Sequence, residues 1–449
     1  MPRNANATSG PLLPAIFRLA WPAASMMLLQ GFYNYIDTYF VGRIGPDALG
    51  GISTGAFVLW MTFAFSQLAS VGIGAKIARR IGENNEEEAD RTALRGVIYA
   101  TVWAAIMGGV LYVAAPYLFQ WMHTPPGVTE QGLAYLTPLI MGMPLIALAF
   151  MFNSIFAASG DTRTPFLIML LSLLLNAVLD PLLIFGLAGF PELGIAGASW
   201  ATIIARGLWI LLAFRRLTSS RSHIRLRTHG RLGLDVNDIL TTVRIGAPKA
   251  LTGSLFSGVY IALTRITSAF GTPNIAALRI GHIYEGMSFL SALGFSIAAS
   301  TLVGQNLGAG QPRRAAKAAW TSAGIVASFT AAVGLVFYLF PDQLGSVFSR
   351  DGNVISAAAL YLTILALSQP FMGVEIVLEG SFAGAGNTVP PMIVQLPLTL
   401  MRYPVAYVLA FHTNLGVAGV WWAISGSSVL KCVALAWWFG RGRWAKTVV

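Results

Sequence analysis

Charged residues and cysteine are scarce in this chain. Of its 449 residues, 10% are charged and 55% are hydrophobic. Soluble domains carry about 25% charged residues, so this composition excludes a wholly soluble protein. Cys432 is the single cysteine, which excludes an internal disulfide. We therefore expect most of the chain to be surrounded by lipid.

Motifs for ATP hydrolysis and for zinc-dependent hydrolysis are absent as well. The chain contains no GxxxxGK[ST] phosphate-binding loop and no HExxH pair, and its five histidines show no metal-ligand spacing. These absences argue against an ATP-driven pump and against a metalloenzyme. We therefore expect a protein that is not an enzyme, needs no cofactor and draws its energy from an ion gradient.

What the chain does have is a series of long apolar stretches. About 20 apolar residues in a helix are enough to cross the hydrocarbon core of a bilayer. Twelve stretches fit this requirement, at 15–41, 50–78, 93–115, 133–158, 164–188, 194–214, 240–270, 278–304, 318–340, 355–383, 389–411 and 415–439. We predict an all-α integral membrane protein with twelve transmembrane helices.

Basic residues are concentrated in alternate loops, which lie on one side of the membrane if the spans alternate in direction. The opposite loops contribute only Arg43 and Arg350. This is the positive-inside pattern, so the net charge of +11 reports topology and not a nucleic-acid partner. We predict a multi-pass protein of the cell (inner or plasma) membrane with both termini in the cytoplasm. The basic residues concerned are Lys76, Arg79, Arg80, Arg91, Arg95, Arg215, Arg216, Arg221, Arg225, Arg227, Arg231, Arg313, Arg314, Lys317, Arg441, Arg443 and Lys446.

The chain also repeats itself at an offset of 226 residues. Pro248 follows Pro22 at this distance, and Gly386 follows Gly160. The segments FAASGDTRTP and FAGAGNTVPP stand in register at the same offset. Chance similarity between apolar segments would not keep one offset across glycines and prolines. The chain therefore consists of two similar halves.

Each half contains six predicted spans, an even number, so both halves cross the membrane in the same sense. We predict two six-helix bundles related by a parallel pseudo-two-fold repeat, as in transporters with parallel repeats. The N-lobe takes 1–217, a basic cytoplasmic linker takes 218–239, and the C-lobe takes 240–449. A solute path between the two lobes is the expectation that follows from this organisation.

Polar residues in the first half predict a cation site. Asp37 lies near the outer end of the first stretch, and Asp180 stands at a matching depth in the fifth. Asn176 precedes Asp180 by one helical turn, and Thr202 lies in the outer half of the sixth stretch. Carboxylate, amide and hydroxyl oxygens suit a hard cation such as Na⁺, and a carboxylate also takes up a proton. The alternative is that each acid merely bonds a neighbouring helix.

Two further residues of the first half are weaker candidates for this site. Tyr33 precedes Asp37 by four residues and therefore shares its helical face. Asn153 lies in the fourth stretch, where an amide often serves only to join helices. Pro181 leaves the carbonyl of Ala177 without its helical donor, which adds a free acceptor one turn from Asp180.

The second half repeats the scaffold with different ionisable residues. Glu285 lies in the eighth stretch, and Glu375 and Glu379 share a helical face in the tenth. Arg402 stands where the repeat places Asn176 in the first half. Two close carboxylates rarely both ionise in a low dielectric, so one is protonated or is neutralised by a cation from Lys249, Arg265 or Arg402. A structural ion pair and a role in coupling or substrate binding both stay open.

With these residues in view, the sequence resembles the multidrug and toxic compound extrusion (MATE) family over essentially its whole length. The resemblance implies outward antiport of amphipathic, often cationic compounds against inward H⁺ or Na⁺. It also implies a bacterial member of the DNA-damage-inducible F-like type, with Asp37, Asn176, Asp180 and Thr202 in the cation site. Glu375 falls near an acid used by another bacterial branch, whose second acid in the seventh span is missing here. The matching segments are LAWPAASMMLLQGFYNYIDTYFVGRIG, FAASGDTRTP, LLNAVLDPLLIFG, GIAGASWAT, VGQNLGAGQPRRA, EGSFAGAGNTVPP and LGVAGVWWAI.

The function expected from these features is multidrug efflux by alternating access between the lobes, coupled to H⁺ or Na⁺ in the first half. Its partners are small cationic or amphipathic molecules and membrane lipid, and a monomer is expected. A flippase for lipids or lipid-linked saccharides is the runner-up, because Lys249, Arg265 and Arg402 suit anionic head groups. A receptor or scaffold without transport is the third reading, and it leaves the buried acid pair unexplained.

Overall fold

The structure is a computed structural model that describes residues 7–122, 124–219, 222, 224–226 and 235–447, without the side chains of 56–65, 121 and 257. Much of the linker predicted at 218–239 lies outside the described residues, together with its arginines Arg221, Arg227 and Arg231.

Within the described ranges the chain forms fifteen α-helices and no β-strand. Proline, glycine or an asparagine cap stands at the start of many of them, where unpaired N–H groups make these residues favourable. The helices are α1 Leu12–Val41, α2 Pro46–Gly82, α3 Glu86–Trp121, α4 Pro126–Met141, α5 Met143–Ala158, α6 Arg163–Phe185, α7 Ile195–Thr218, α8 Val236–Ser268, α9 Thr272–Gly308, α10 Pro312–Leu339, α11 Pro341–Phe348, α12 Gly352–Gly384, α13 Val389–Leu400, α14 Arg402–Phe411 and α15 Ala418–Gly440.

These helices account for the twelve predicted spans. Nine continuous segments of the described chain are long and apolar enough to cross a membrane, and the bent pair α4–α5 makes a tenth. The long helices α2 and α8, which contain the undescribed side chains 56–65 and 257, occupy the two remaining stretches. The short helix α11 is additional. The predicted all-α membrane fold is confirmed.

One of the spans is bent, and a proline explains the bend. The segment predicted at 133–158 bends by 56° between α4 and α5. Pro144 has no N–H group for the carbonyl of Ile140, so the helical ladder is interrupted at this point. Helices α13 and α14 instead form one continuous segment, Val389–Phe411, because Met401 between them keeps helical backbone angles.

The repeat is visible in how the helices pack. A Cβ atom on Gly55 of α2 would lie 3.4 Å from Cδ1 of Tyr135 on α4. At the same offset of 226 residues, a Cβ atom on Gly281 of α9 would lie 1.8 Å from Cε1 of Tyr361 on α12. Both tyrosines are buried. Each half thus uses a glycine of its second span to admit a tyrosine of its fourth, and only glycine fits the tighter copy.

Large apolar side chains cover the outside of the helices. On α3, Val110, Val113 and Tyr117 are all more than half exposed and follow one another at helical spacing. An exposed apolar face of this kind is unfavourable in water and favourable against lipid. The inner faces instead bury aromatic residues such as Phe152 and Trp421.

The contacts divide the chain into two compact units. Among the described residues, one unit is formed by those from 25 to 246, and the other by 7–24 and 247–447. The first span of each half therefore changes units close to its proline, Pro22 in α1 and Pro248 in α8. The lobe limits drawn from the repeat, 1–217 and 240–449, stay a prediction.

Candidate functional site

Four of the predicted residues of the first half lie together in the interior of the first unit. Asp37 is on α1, Asn176 and Asp180 are on α6, and Thr202 is on α7. All four side chains are buried, and Asn176 and Asp180 have no exposed surface. The one-turn spacing of Asn176 and Asp180 places both on the face of α6 that packs against α7. The structure thus brings together the residues that the sequence grouped by depth.

Hydrogen bonds connect the four side chains in series. The Thr202 hydroxyl donates to Asp37 Oδ2 at 3.2 Å. The Asn176 amide nitrogen donates to Asp180 Oδ1 at 3.2 Å and reaches Thr202 Oγ1 at 3.5 Å. Since the amide and hydroxyl donors point at the two carboxylates, they fix the positions of the remaining oxygens.

Those remaining oxygens have no partner. Asp37 Oδ1, Asn176 Oδ1 and Asp180 Oδ2 are all buried and accept no hydrogen bond from the described residues. A buried carboxylate oxygen without a donor is costly. A bound cation removes that cost, because oxygen is the ligand that hard cations prefer. The residues present therefore fit Na⁺ or a proton shared by the carboxylates.

The site offers few side chains that could bind a metal ion. Among the described residues no group of three or more histidine, cysteine, aspartate or glutamate side chains is placed to hold a metal ion. Two carboxylates, an amide oxygen and a hydroxyl supply none of the histidine or cysteine ligands that form structural zinc sites. A monovalent cation matches this set better.

Tyr33 lies one helical turn from Asp37 and is also buried. Its hydroxyl is 2.5 Å from Ser172 Oγ, and Ser172 donates its own proton to the carbonyl of Ala205 at 2.7 Å. Tyr33 is therefore the donor to Ser172, and its hydroxyl bridges α1 to α6 and α7. This places Tyr33 in the support of the cluster and gives it no direct bond to the carboxylates.

Arg206 belongs to the same region and was missed by the sequence reasoning. It is half-buried on α7, one turn after Thr202, with its guanidinium carbon 5.5 Å from the centre of the Tyr33 ring. Its charge acts electrostatically on Asp37. The four-residue spacing from Thr202 was the signal that could have revealed it.

Asn153 does not join the cluster. It is half-buried on α5, and among the described residues no hydrogen bond links it to Asp37, Asn176 or Asp180. The next residue, Ser154, donates to the carbonyl of Ser70 at 2.6 Å and so ties α5 to α2. Asn153 was the weaker candidate because an amide in a span often serves only to join helices, and its position apart from the cluster agrees with that reading.

The acids of the second half have resident basic partners. Glu379 on α12 forms an ion pair with Lys249 on α8, and Glu375 lies 3.7 Å from Lys431 on α15. Lys431, which is buried, was missed although it stands as a lone cation inside the last span. Arg265 is exposed near the end of α8 and neutralises neither acid.

Arg402 is held by neutral groups. Its guanidinium donates to Ser427 at 2.6 Å, to Ser428 at 3.2 Å and to the Tyr260 hydroxyl at 3.4 Å. Its charge acts on Glu285, which is half-buried on α9. Together with the two ion pairs, this arrangement favours a structural role for the charges of the second half.

A known family model matches each half of this chain separately. A family model described as MatE matches residues 22–182 and 248–408. The second match begins 226 residues after the first, which is the offset of the repeat. The internal repeat is therefore confirmed.

Relatives match over nearly the whole chain. The chain is 29% identical over 444 residues to a probable multidrug resistance protein, NorM, of Thermotoga maritima, covering 97% of this chain and 93% of that protein. It is 26% identical over 440 residues to an FAD transporter of Shewanella oneidensis, covering 95% and 94%. A solved structure described as the outward-facing conformation of a multidrug resistance MATE family transporter of the MOP superfamily has the same fold, with a TM-score of 0.89, 24% identity and 100% coverage of both chains.

Proposed function

Because this chain belongs to the MatE family, we propose that it is a secondary antiporter that exports amphipathic, mainly cationic small molecules in exchange for H⁺ or Na⁺. It is a transporter and not an enzyme, and it crosses the membrane several times. The relatives named for multidrug resistance support drug-like substrates. We place the coupling ion in the first half, at Asp37, Asn176, Asp180 and Thr202.

The observation that carries the proposal is the buried acid pair, Asp37 and Asp180. One oxygen of each carboxylate, like the amide oxygen of Asn176 beside them, accepts no hydrogen bond from the described residues. Two carboxylates in a low dielectric repel each other strongly, so the pair demands a positive charge. A proton or Na⁺ from outside meets that demand in one state of the cycle. Release of the ion on the inner side then restores the demand, which couples the ion gradient to the conformational change.

Several finer features belong to the same proposal. Alternating access between two lobes follows from the parallel repeat. The inner or plasma membrane, cytoplasmic termini and a monomeric state follow from the charge asymmetry of the loops and from the single-chain repeat. The resemblance to the DNA-damage-inducible F-like type rests on the four residues of the cation site.

The proposal is tested with purified protein in proteoliposomes and a fluorescent cationic dye. Na⁺ and pH gradients are imposed separately, and an FAD-loaded series is run in parallel because one relative is an FAD transporter. We expect dye flux driven by one of the two gradients. Asp37→Asn and Asp180→Asn should abolish that dependence, since each removes one of the two carboxylates that would hold the ion.

The matched control is Glu192→Gln, which changes an exposed acid in the connection between α6 and α7. It should leave flux and coupling at the wild-type level. Undiminished gradient-driven flux in both aspartate variants would refute the proposed site. Flux of FAD alone, without dye flux, would overturn the cationic substrate class.

The flippase alternative has lost part of its basis. It rested on free basic residues, but Lys249 is paired with Glu379 and Arg402 is bound by three hydroxyl groups. Arg265 remains exposed at the end of α8, and a single exposed arginine is common at the end of a membrane span. No structural observation favours this function over drug export.

A further inference from the structure

We propose that Arg206 is an internal counter-cation of the acid pair, which replaces the coupling ion when that ion leaves and restricts the site to one monovalent cation. This inference rests on the proposed function, because it concerns the regulation of the same ion site. It goes beyond that function by assigning a role to an arginine that makes no hydrogen bond to the acids.

The first step is the position of Arg206. It follows Thr202 by one turn of α7, and the Thr202 hydroxyl is bonded to Asp37. Tyr33, over whose ring the guanidinium lies, precedes Asp37 by one turn of α1. The backbone of Arg206 therefore lies one turn of α7 from the residue that bonds Asp37, and its guanidinium lies over a residue one turn of α1 from Asp37.

The second step is that Arg206 is weakly held where it is. Its Nε is buried without a hydrogen-bond partner among the described residues, and no ion pair within 4.0 Å joins it to either acid there. The contact with the Tyr33 ring is a cation–π interaction, which is worth far less than a desolvated ion pair with a carboxylate. The guanidinium can therefore leave the Tyr33 ring for a stronger partner.

The third step concerns direction. Side chains on a helix lean towards its N-terminus, so Arg206 leans along α7 towards the turn of Thr202. Rotation about its side-chain bonds carries the guanidinium from the Tyr33 ring towards the unpartnered Oδ1 of Asp37. No movement of the helices is required for this exchange.

The fourth step is the charge count. Asp37 and Asp180 contribute two negative charges and Arg206 one positive charge, so the region carries a net charge of −1 when all three ionise. One proton or one Na⁺ makes it neutral. With the ion bound, Arg206 rests on Tyr33, and without it Arg206 bonds a carboxylate. Without the coupling ion, one carboxylate is then paired with Arg206, and one unpaired charge instead of two carboxylate charges is left in the membrane interior.

The test is equilibrium binding of ²²Na⁺ to purified full-length protein in detergent. Arg206→Gln removes the internal cation, and we expect Na⁺ to bind about tenfold or more tightly than to the wild type, because an unscreened like charge is gone. Arg206→Lys keeps the charge and should retain wild-type affinity. Arg215→Gln, an exposed arginine of the same helix, is the matched control and should also behave as wild type.

A double variant that restores the net charge separates the effect of charge from the effect of side-chain shape. Arg206→Gln combined with Asp180→Asn returns the net charge to −1, so its Na⁺ affinity should fall back towards the wild-type value. Arg206→Met, which keeps an apolar stem against Tyr33, replaces the glutamine variant if size-exclusion profiles show that the latter misfolds.

The proposal is overturned if the neutral variants at 206 bind Na⁺ no more tightly than wild type, or if the double variant keeps the tight binding. Either result leaves the proposed function intact when Asp37→Asn still abolishes coupled flux. If Asp37→Asn and Asp180→Asn transport normally, the ion site itself is wrong, and this inference falls with it.

Discussion

The buried Lys76 on α2 holds the start of α8 in place. Lys76→Met should show how much this contact adds to the stability of the first unit. Lys76 on α2 uses all three of its ammonium hydrogens. It donates to Asp238 Oδ1 at 2.7 Å, to the Asp238 carbonyl at 2.8 Å and to Thr242 Oγ1 at 2.9 Å. Tyr99 on α3 donates to the other carboxylate oxygen of Asp238 at 3.1 Å. Helices α2, α3 and α8 therefore meet at one carboxylate.

The magnitude follows from burial. The side chains of Lys76 and Asp238 are 8% and 20% exposed. Removing one partner of a buried ion pair costs roughly 3–5 kcal/mol, because the other charge is left without compensation. Since Asp238 keeps one-fifth of its surface and the Tyr99 bond, the lower end, about 3 kcal/mol, is appropriate. We expect the first unit to unfold at a clearly lower temperature.

The assay is thermal unfolding of the detergent-solubilised protein, followed by size-exclusion chromatography. The matched control is Arg80→Met, also on α2, which removes an exposed pair with Glu83 at 2.9 Å. Such a surface pair is worth about 0.5 kcal/mol, so its melting temperature should barely change. Equal shifts for the two variants would refute the reasoning. A Lys76→Met and Asp238→Asn double-mutant cycle with negligible coupling energy would do so as well.

Two further changes probe the second unit by the same melting assay. Gly281→Ala forces a Cβ atom to within 1.8 Å of the buried Tyr361 ring and should lower the unfolding free energy by about 2 kcal/mol. Gly286→Ala on the same helix meets open space and should raise it by up to about 1 kcal/mol, so equal effects would contradict the packing argument. Lys431→Met strands the carboxylate of Glu375 and should cost about 3 kcal/mol, while an unchanged melting temperature would show that this pair contributes little.

The fold was predictable because the forces that set it are local in sequence. A helix that crosses lipid must satisfy its own backbone hydrogen bonds, so length and hydropathy alone mark the spans. Even the bend at Gly142 has a local cause, since Pro144 removes a donor. The repeat adds a second constraint, because both halves must accommodate equivalent contacts such as Gly55 with Tyr135 and its counterpart at Gly281.

The cluster of four polar residues at the proposed cation site was predictable for a similar reason. Asn176 and Asp180 stand one turn apart, and an acid inside a span is rarely placed there without a function. Asp37 could be added by depth alone, since it lies on another helix of the same half. Asn153 has no such local argument, and it stands apart from the cluster.

The contacts of three basic residues could not be predicted from the sequence, and the reason is physical. Lys76 stands at the end of an apolar stretch, where a positive charge is also explained by topology. Its partner Asp238 is 162 residues away, and no local pattern connects them. Arg206 and Lys431 likewise receive their meaning only from residues on other helices. Ion pairs across long separations are set by tertiary packing, which a single sequence does not display.

The two halves share one fold and differ in the charged residues that they bury. In the second half three acids, Glu285, Glu375 and Glu379, face three cations from Lys249, Arg402 and Lys431. This set is neutral as it stands, so it has no need of an ion from solution. In the described part of the first half, the buried acids are Asp37 and Asp180, and the charge of Arg206 acts on Asp37, so one negative charge is left over. The same scaffold, duplicated, therefore carries balanced charges in one half and an excess negative charge in the other, where we propose that the coupling ion binds.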